Sequence, residues 1–479
     1  MTLESPTPAF ILLLTVASVL LIVNDHRTSL EQRLRTRFGI DRDWWIPVVA
    51  FAIAVSFSLV GFPAIRTAFV EKFDIIVLIF SFGIMSEGLG ASGFFRYVAY
   101  KVVALCEGNS TRLVLYMFTM TSVVTLFTTN DIVVLVLTPV IVEICFQAGI
   151  RNTKPILLSQ FVAANTLSMG LLIGSPTNII ISEELGLDFF EYLAMMLLPA
   201  VVAFASSFLL ITLLIRATES DDISLFDDLH IQPEYTMPTE VPEPYFTAQM
   251  RNWILVFVTF VVLVAVVTFL RVSLFWCAIP SMIIAIGYWY VSDEHEAPVV
   301  RPLKRLPYGV FFFGMTFFIF AEAFARSPVV ETVLIPFLQQ FFADSPVRAG
   351  VLGVFGSGIL VNIFNDLPAA ALIANVLSRL EFSSFVSRAL LVQSSLVGLN
   401  IGTYVTQVGA LAGLIWFNQL RIQRTKQRDY FPELAGEMSF PSRGDLVRYG
   451  ILHFVFTGLS VGLFLIFVWV LLSVLIGPY

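Results

Sequence analysis

Apolar residues in this chain come in long runs rather than at a strand or amphipathic-helix period. About 20 are needed to cross a bilayer. Runs near 8–24, 45–61, 74–91, 156–182, 189–215, 252–270, 273–291, 307–325, 388–418 and 449–476 predict about ten transmembrane helices. Two more stretches, 113–148 and 346–379, are each interrupted midway by polar residues and predict re-entrant helical hairpins. Non-helical backbone at membrane depth is tolerated only where protein buries it or it lines a water-filled cavity. The segments 156–182 and 388–418 are too long and too polar for simple spans. Each begins apolar and then breaks, at Gly174 to Asn178 in "GSPTN" and at Asn400 to Gly409 in "NIGTYVTQVG". The fold expected is an all-α polytopic membrane protein.

The same pattern occurs twice. Asn130-Asp131 in "FTTND" returns as Asn365-Asp366 in "NIFND", a shift of 365 − 130 = 235. Asn165 returns as Asn400, Gly174 as Gly409, Glu87 as Glu322 and Ser92 as Ser327, all in that register. Five crossings lie between the two Asn-Asp pairs, and an odd number turns the second copy upside down. The expected domains are a first inverted repeat at 1–216, an acidic linker at 217–251 and a second inverted repeat at 252–479. Inverted repeats of this kind belong to secondary transporters, which move around a site at the membrane midplane.

Composition agrees: 57% of the 479 residues are hydrophobic and 13% charged, with mean hydropathy +0.85. Soluble domains carry about 25% charged residues. The run Phe10–Val23 follows Glu4 and no Lys or Arg, so it reads as the first span and not as a signal peptide. Placing the loop 24–44 in the cytoplasm puts 21 of the 28 Lys and Arg inside, as the positive-inside rule requires. Both termini are then external, at a plasma or inner membrane. The linker stretch 217–245 holds eight Asp or Glu and four prolines and reads as an extended, solvated connection. Net charge −7 with no basic run gives no reason to expect a nucleic-acid partner. Cys106, Cys145 and Cys277 fit neither a disulfide framework nor a metal spacing and read as small buried hydrophobes.

The candidate chemistry sits at the hairpin tips and the breaks. Broken helices free carbonyls and N–H groups, and Asn amides and Ser or Thr hydroxyls add hard oxygen ligands suited to Na⁺. The candidate ion or substrate ligands are Thr129, Asn130, Asp131, Asn165, Gly174, Ser175, Thr177 and Asn178 in the first half. In the second half they are Asn365, Asp366, Asn400, Thr403, Thr406, Gln407 and Gly409. The tip with Asn130 is expected to face the first break, and that with Asn365 the second. A carboxylate at membrane depth costs about 2.5–3.5 kcal/mol on insertion scales, so Asp131 and Asp366 are functional candidates ahead of plain helix caps. They can carry a proton or stand beside a cation, which leaves H⁺ and Na⁺ both open as the coupling ion. No cofactor or other metal is expected. Glu87 and Glu322 read as interface anchors, and His453 as a satisfied polar contact.

On the stretches "TTNDIVVLVLTP", "AANTLSMGLLIGSPTN", "NDLPAAALIANVL" and "NIGTYVTQVGALAGLIW" the chain resembles the ion transporter superfamily. The likeness is greatest to its arsenite/antimonite permease and NhaD-type sodium/proton antiporter branch, related to the divalent anion/sodium symporters. The resemblance implies a scaffold and a transport domain in each protomer, a homodimer, and an elevator-like movement. It also implies that Asn130 and Asn365 line the site at the hairpin tips, completed by the unwound stretches 174–178 and 400–409. Two departures stand out. Thr129-Asn130-Asp131 and Phe364-Asn365-Asp366 replace the Ser-Asn-Thr of the anion symporters, and Thr406-Gln407 stands where the permeases show Thr-Pro.

The expected function is ion-coupled secondary transport of a small ion, anion or metalloid, with arsenite or antimonite efflux leading. Na⁺/H⁺ antiport and Na⁺-coupled symport of dicarboxylate, citrate or sulfate are the alternatives. A channel is disfavoured because two opposed hairpins suit alternating access better than a continuous filter. No nucleophile–base arrangement or zincin motif points to an enzyme.

Overall fold

In the computed structural model the described residues are 7–23, 42–66, 73–219, 234–235, 245–272, 275–292, 308–342, 345–382, 384–430 and 438–476. Most of the loop 24–44, all but the first residue of the loop 292–306 and most of the acidic linker, all used in the topology argument, lie outside them. The first half contains α1 (Thr7–Val23), α2 (Arg42–Ser56), α3 (Phe73–Ala91), α4 (Phe94–Leu105), α5 (Ser110–Phe127), α6 (Asn130–Gln147), α7 (Lys154–Thr166), α8 (Pro176–Leu185) and α9 (Phe189–Glu219). The second contains α10 (Ala248–Phe269), α11 (Phe275–Ser292), α12 (Tyr308–Ala325), α13 (Ile335–Phe342), α14 (Pro346–Phe364), α15 (Asp366–Arg379), α16 (Phe385–Ile401), α17 (Leu411–Tyr430) and α18 (Arg443–Ile476).

The 235-residue register extends to whole elements. Adding 235 to the start of α6 gives 365, beside the start of α15 at Asp366, and adding it to the start of α8 gives 411, the start of α17. Packing follows the same register. Helix α5 lies on α7 as α14 lies on α16, α3 on α11 as α12 on α2, and α6 on α17 as α15 on α8. The last two pairings join the halves. Each hairpin's second arm packs against the broken helix of the other half.

Seven helices among the described residues are long and apolar enough to cross a membrane, among them both arms of the first hairpin, α9, α10 and α18. The chain is a multi-pass membrane protein. Without water between helices, association relies on close approach of small residues and on side-chain hydrogen bonds. Both are present. A Cβ on Gly398 would fall 2.2 Å from the Val354 carbonyl oxygen, and one on Gly353 would meet Ser394 Oγ at 1.8 Å, so α14 and α16 touch backbone to backbone. Trp416 Nε1 donates to Gln160 Oε1 at 3.3 Å while its ring stacks on Phe161 at 4.9 Å, tying α17 to α7.

All three cysteines are free and buried, as small hydrophobes should be. Burial pushes the Cys106 thiol, in the loop after α4, up to about 11, which keeps it protonated at neutral pH. Within the linker, Tyr235 is anchored. Its backbone N–H donates to Gly108 O at 2.9 Å and its hydroxyl to Val103 O at 3.2 Å, at the base of the first hairpin.

His453 departs from expectation. It is fully buried on α18, yet neither ring nitrogen has a hydrogen-bond partner among the described residues. The nearby Tyr449 hydroxyl pairs with Ser159 and the Tyr404 hydroxyl with Thr166, leaving the imidazole only ring contacts. Glu322 accepts from Arg326 Nε at 2.6 Å one helical turn on.

Gly398→Ala is expected to lower stability in detergent by about 1–3 kcal/mol, because the methyl group meets backbone that cannot rotate away. Gly287→Ala on α11, where a Cβ meets nothing within 4 Å, serves as the neutral control. Thermal unfolding followed by tryptophan fluorescence reads both. Equal midpoints for the two variants would contradict the close α14–α16 approach.

Candidate site at the hairpin tips and helix breaks

Both breaks lie somewhat differently from the expectation. Helix α7 ends at Thr166, and the chain runs through 3₁₀ turns at Leu167–Gly170 and Leu172–Gly174 before α8 begins at Pro176. The "GSPTN" stretch is therefore the end of the break and the start of the next helix. Ser175 is the N-cap and Pro176 the first helical residue, an arrangement that restarts a helix readily. Asn178 then reaches back, its Nδ2 donating to Ser168 O at 2.9 Å and Leu171 O at 3.0 Å. Gly174 is required here, since a Cβ would sit 2.1 Å from Ser168 O. In the second half Asn400 is still helical, and the break is Gly402 to Ala410.

Each tip faces its own break, as expected. Asn130 Nδ2 donates to Asn165 Oδ1 at 2.9 Å, and Asn365 Nδ2 donates to Val408 O at 2.8 Å. Asn365 has φ +79° and ψ 162°, a conformation that costs a non-glycine residue about 1–3 kcal/mol. The bond to Val408 helps to hold it there. One contributor was missed in the sequence. Asn362 Nδ2 donates to Gly402 O and Gly358 O, both at 2.8 Å, and its Oδ1 accepts from Thr406 Oγ1 at 2.7 Å. An amide in the apolar run "GILVNIF" was the available signal.

The two half-sites are joined. Asn400 Nδ2 donates to Asn178 Oδ1 at 3.1 Å, and Ser168 Oγ donates to Asn400 Oδ1 at 3.4 Å, so the end of α16 is bonded to the first break and to the start of α8. The aspartates converge as well. Asp131 and Asp366 are near enough for their charges to interact, and both face the start of α17, at Ala412 and Leu411 respectively. Neither is the N-cap residue of its own helix, positions held by Thr129 and Asn365. Asp366 is buried and its Oδ1 accepts from Leu367 N at 2.9 Å. The Oδ1 of Asp131 and that of Asn365 are shut off from solvent without a partner. Among the described residues no Lys or Arg pairs with either aspartate.

Other candidates turn inward. The Ser175 and Thr177 hydroxyls lie 2.8 Å apart at the α8 cap, and Thr403 Oγ1 donates to Asn400 O at 2.5 Å. Gly409 N donates to Thr406 Oγ1 at 3.2 Å, and the Thr129 side chain makes no cap bond. The halves also differ chemically. Ser175, Thr177 and Asn178 correspond at +235 to Ala410, Ala412 and Gly413, so the second half offers backbone where the first offers side chains. A cleft of about 260 Å³, lined by Asp188, Thr268 and Arg271 among others, reaches Leu172 in the first break.

Comparison with known proteins finds a matching family and several relatives. The CitMHS family, described as citrate transporter, matches residues 40–398. The chain is 22% identical over 340 residues to the arsenical pump membrane protein of Escherichia coli K12, covering 70% of this chain and 76% of that protein. It is 24% identical over 345 residues to the arsenical pump membrane protein of Yersinia enterocolitica, with the same coverage of 70% and 76%. A solved structure, the YdaH transporter of Alcanivorax borkumensis, is similar at 14% identity and TM-score 0.46, over 96% of this chain and 98% of that one.

The Asn130–Asn165 bond is testable by a double-mutant cycle. Asn130→Ala and Asn165→Ala should each destabilise the protein, with a coupling of about 1 kcal/mol in the double variant. Strictly additive losses in thermal unfolding would show that the amides do not bond.

Proposed function

The chain belongs to the CitMHS citrate transporter family, and we propose that it is an ion-coupled secondary transporter with one central site shared by two inverted halves. The observation that carries this reading is that Asp131 and Asp366, register partners from opposite hairpins, lie near enough for their charges to interact. Two unpaired carboxylates at membrane depth are costly, and taking up H⁺ or Na⁺ removes the charge that opposes moving the loaded site across the bilayer. The coupling ion binds at this pair. The substrate binds beside it, against the amides of Asn130, Asn365 and Asn400 and the backbone freed at the two breaks. No bound cofactor is needed.

The site's charge bears on the substrate. Two acidic groups without a cationic partner repel a free polyanion, whereas a small neutral hydroxide donates hydrogen bonds to carboxylates. Arsenite, uncharged at neutral pH, fits that chemistry, and the arsenical pump relatives point the same way. Efflux of arsenite or antimonite is therefore the first reading. Citrate symport is the second, favoured by the family description, with a co-transported cation offsetting the aspartates. The protein works as a homodimer with both termini external, each transport domain moving like an elevator against its scaffold.

Counterflow in proteoliposomes with arsenite, citrate and sulfate under imposed Na⁺ or H⁺ gradients tests the reading. Asp131→Asn and Asp366→Asn should each slow coupled flux about tenfold or more, about 1.4 kcal/mol of barrier, and flatten its pH dependence. Unchanged flux and pH dependence in both variants would reduce the aspartates to helix-start residues and overturn the proposal.

A further inference from the structure

The short segment before α18 and the first residue of that helix reach the second break as well. Ser439 N donates to Arg151 O at 2.8 Å, and both the Thr153 backbone N–H and its hydroxyl donate to Ser439 O, at 3.2 and 2.6 Å. Lys154 Nζ lies 3.2 Å from Asp445 Oδ2, with both side chains largely buried. Ser442 and Asp445 exchange cap bonds that start α18. The strap is thus fixed to the first turn of α7. From it Arg443 extends to the second break, where its Nε donates to Gln407 Oε1 at 3.1 Å.

That bond decides what Gln407 can offer. An amide side chain has an accepting oxygen and a donating nitrogen. With Oε1 accepting from a guanidinium, its second lone pair stands beside a positive charge, and the wholly uncommitted group is the Nε2 donor. Gln407 is 6% exposed, and its Nε2 meets no acceptor among the described residues. The register gives its place. Subtracting 235 from 407 gives 172, and Leu172 lines the cleft that reaches the first break near the C-terminal end of α8. Gln407 is thus the polar counterpart of a cleft-lining residue, and the strap that meets it is fixed at the opposite end of the same broken helix.

From this juxtaposition we propose that Gln407 Nε2 donates a hydrogen bond to an oxygen atom of the substrate, and that Arg443 is the positioning residue that turns the amide to do so. The proposal rests on the transport reading above and deepens it. It assigns the second break an oxygen-accepting contact for a small oxyacid or carboxylate, and removes Gln407 from the ligands of the coupling cation. A cation on Oε1 would stand against the Arg443 guanidinium, whose like charge repels it.

Initial rates of counterflow by the full-length protein in proteoliposomes, with arsenite and citrate as probes, test this. Gln407→Leu and Arg443→Ala should each raise the half-saturation for the transported probe about tenfold, the loss of one buried hydrogen bond, with maximal rate nearly unchanged. The double variant should be no worse than the poorer single one. Arg443→Lys, which keeps a cationic donor, should recover part of the loss. Gln407→Glu separates the role from simple bracing: it keeps and strengthens the tie to Arg443 but has no N–H, so it should be as poor as Gln407→Leu. Wild-type half-saturation in Gln407→Glu, or multiplying losses in the double variant, would overturn the proposal while leaving the transport reading intact. A wild-type protein that moves neither probe would overturn both.

Discussion

Backbone polar groups at membrane depth have no water to bond with, and every break in a helix exposes several of them. The centre of this protein is arranged around that constraint. Three asparagine side chains take up the freed carbonyls: Asn178 those of Ser168 and Leu171, Asn362 that of Gly402, and Asn365 that of Val408. Each buried amide left unpaired would cost about 1–3 kcal/mol, so the unwound stretches persist only while these side chains stay in place. Gly174 allows the first break to fold back on Ser168 more closely than any other residue could. Asn365 adopts a strained backbone for the same end.

Once the breaks are held, their position brings charge together. Each hairpin's second arm packs on the other half's broken helix, and the two aspartates at the starts of these arms lie near enough for their charges to interact. Two separate ion sites, one per half, would not need this crossing. The bonds through Asn400, Asn178 and Ser168 tie the end of α16 to the first break, across the two halves.

Much of this was legible in the sequence. The pattern of apolar runs located the helices because the bilayer imposes length and hydropathy directly, and the 235-residue register located the paired tips because several separate blocks share it. The exact course of the breaks was less legible. Gly174 and Pro176 mark where a helix restarts, whereas where the previous one ends depends on Asn178 bonding ten and seven residues back. The convergence of Asp131 and Asp366 was not legible at all, because the register pairs equivalent residues without saying whether they meet. His453 misled for a related reason: residue type suggests a partner, but its neighbouring tyrosines had already committed their hydroxyls elsewhere.

A shared site and two independent sites differ in one measurable respect. If Asp131 and Asp366 act on a single load, removing the second after the first has been removed takes away little more. Flux through the Asp131→Asn/Asp366→Asn double variant should then match that of the slower single variant at every pH. Losses that multiply, each aspartate slowing flux by its own factor whether or not the other is present, would contradict the central site.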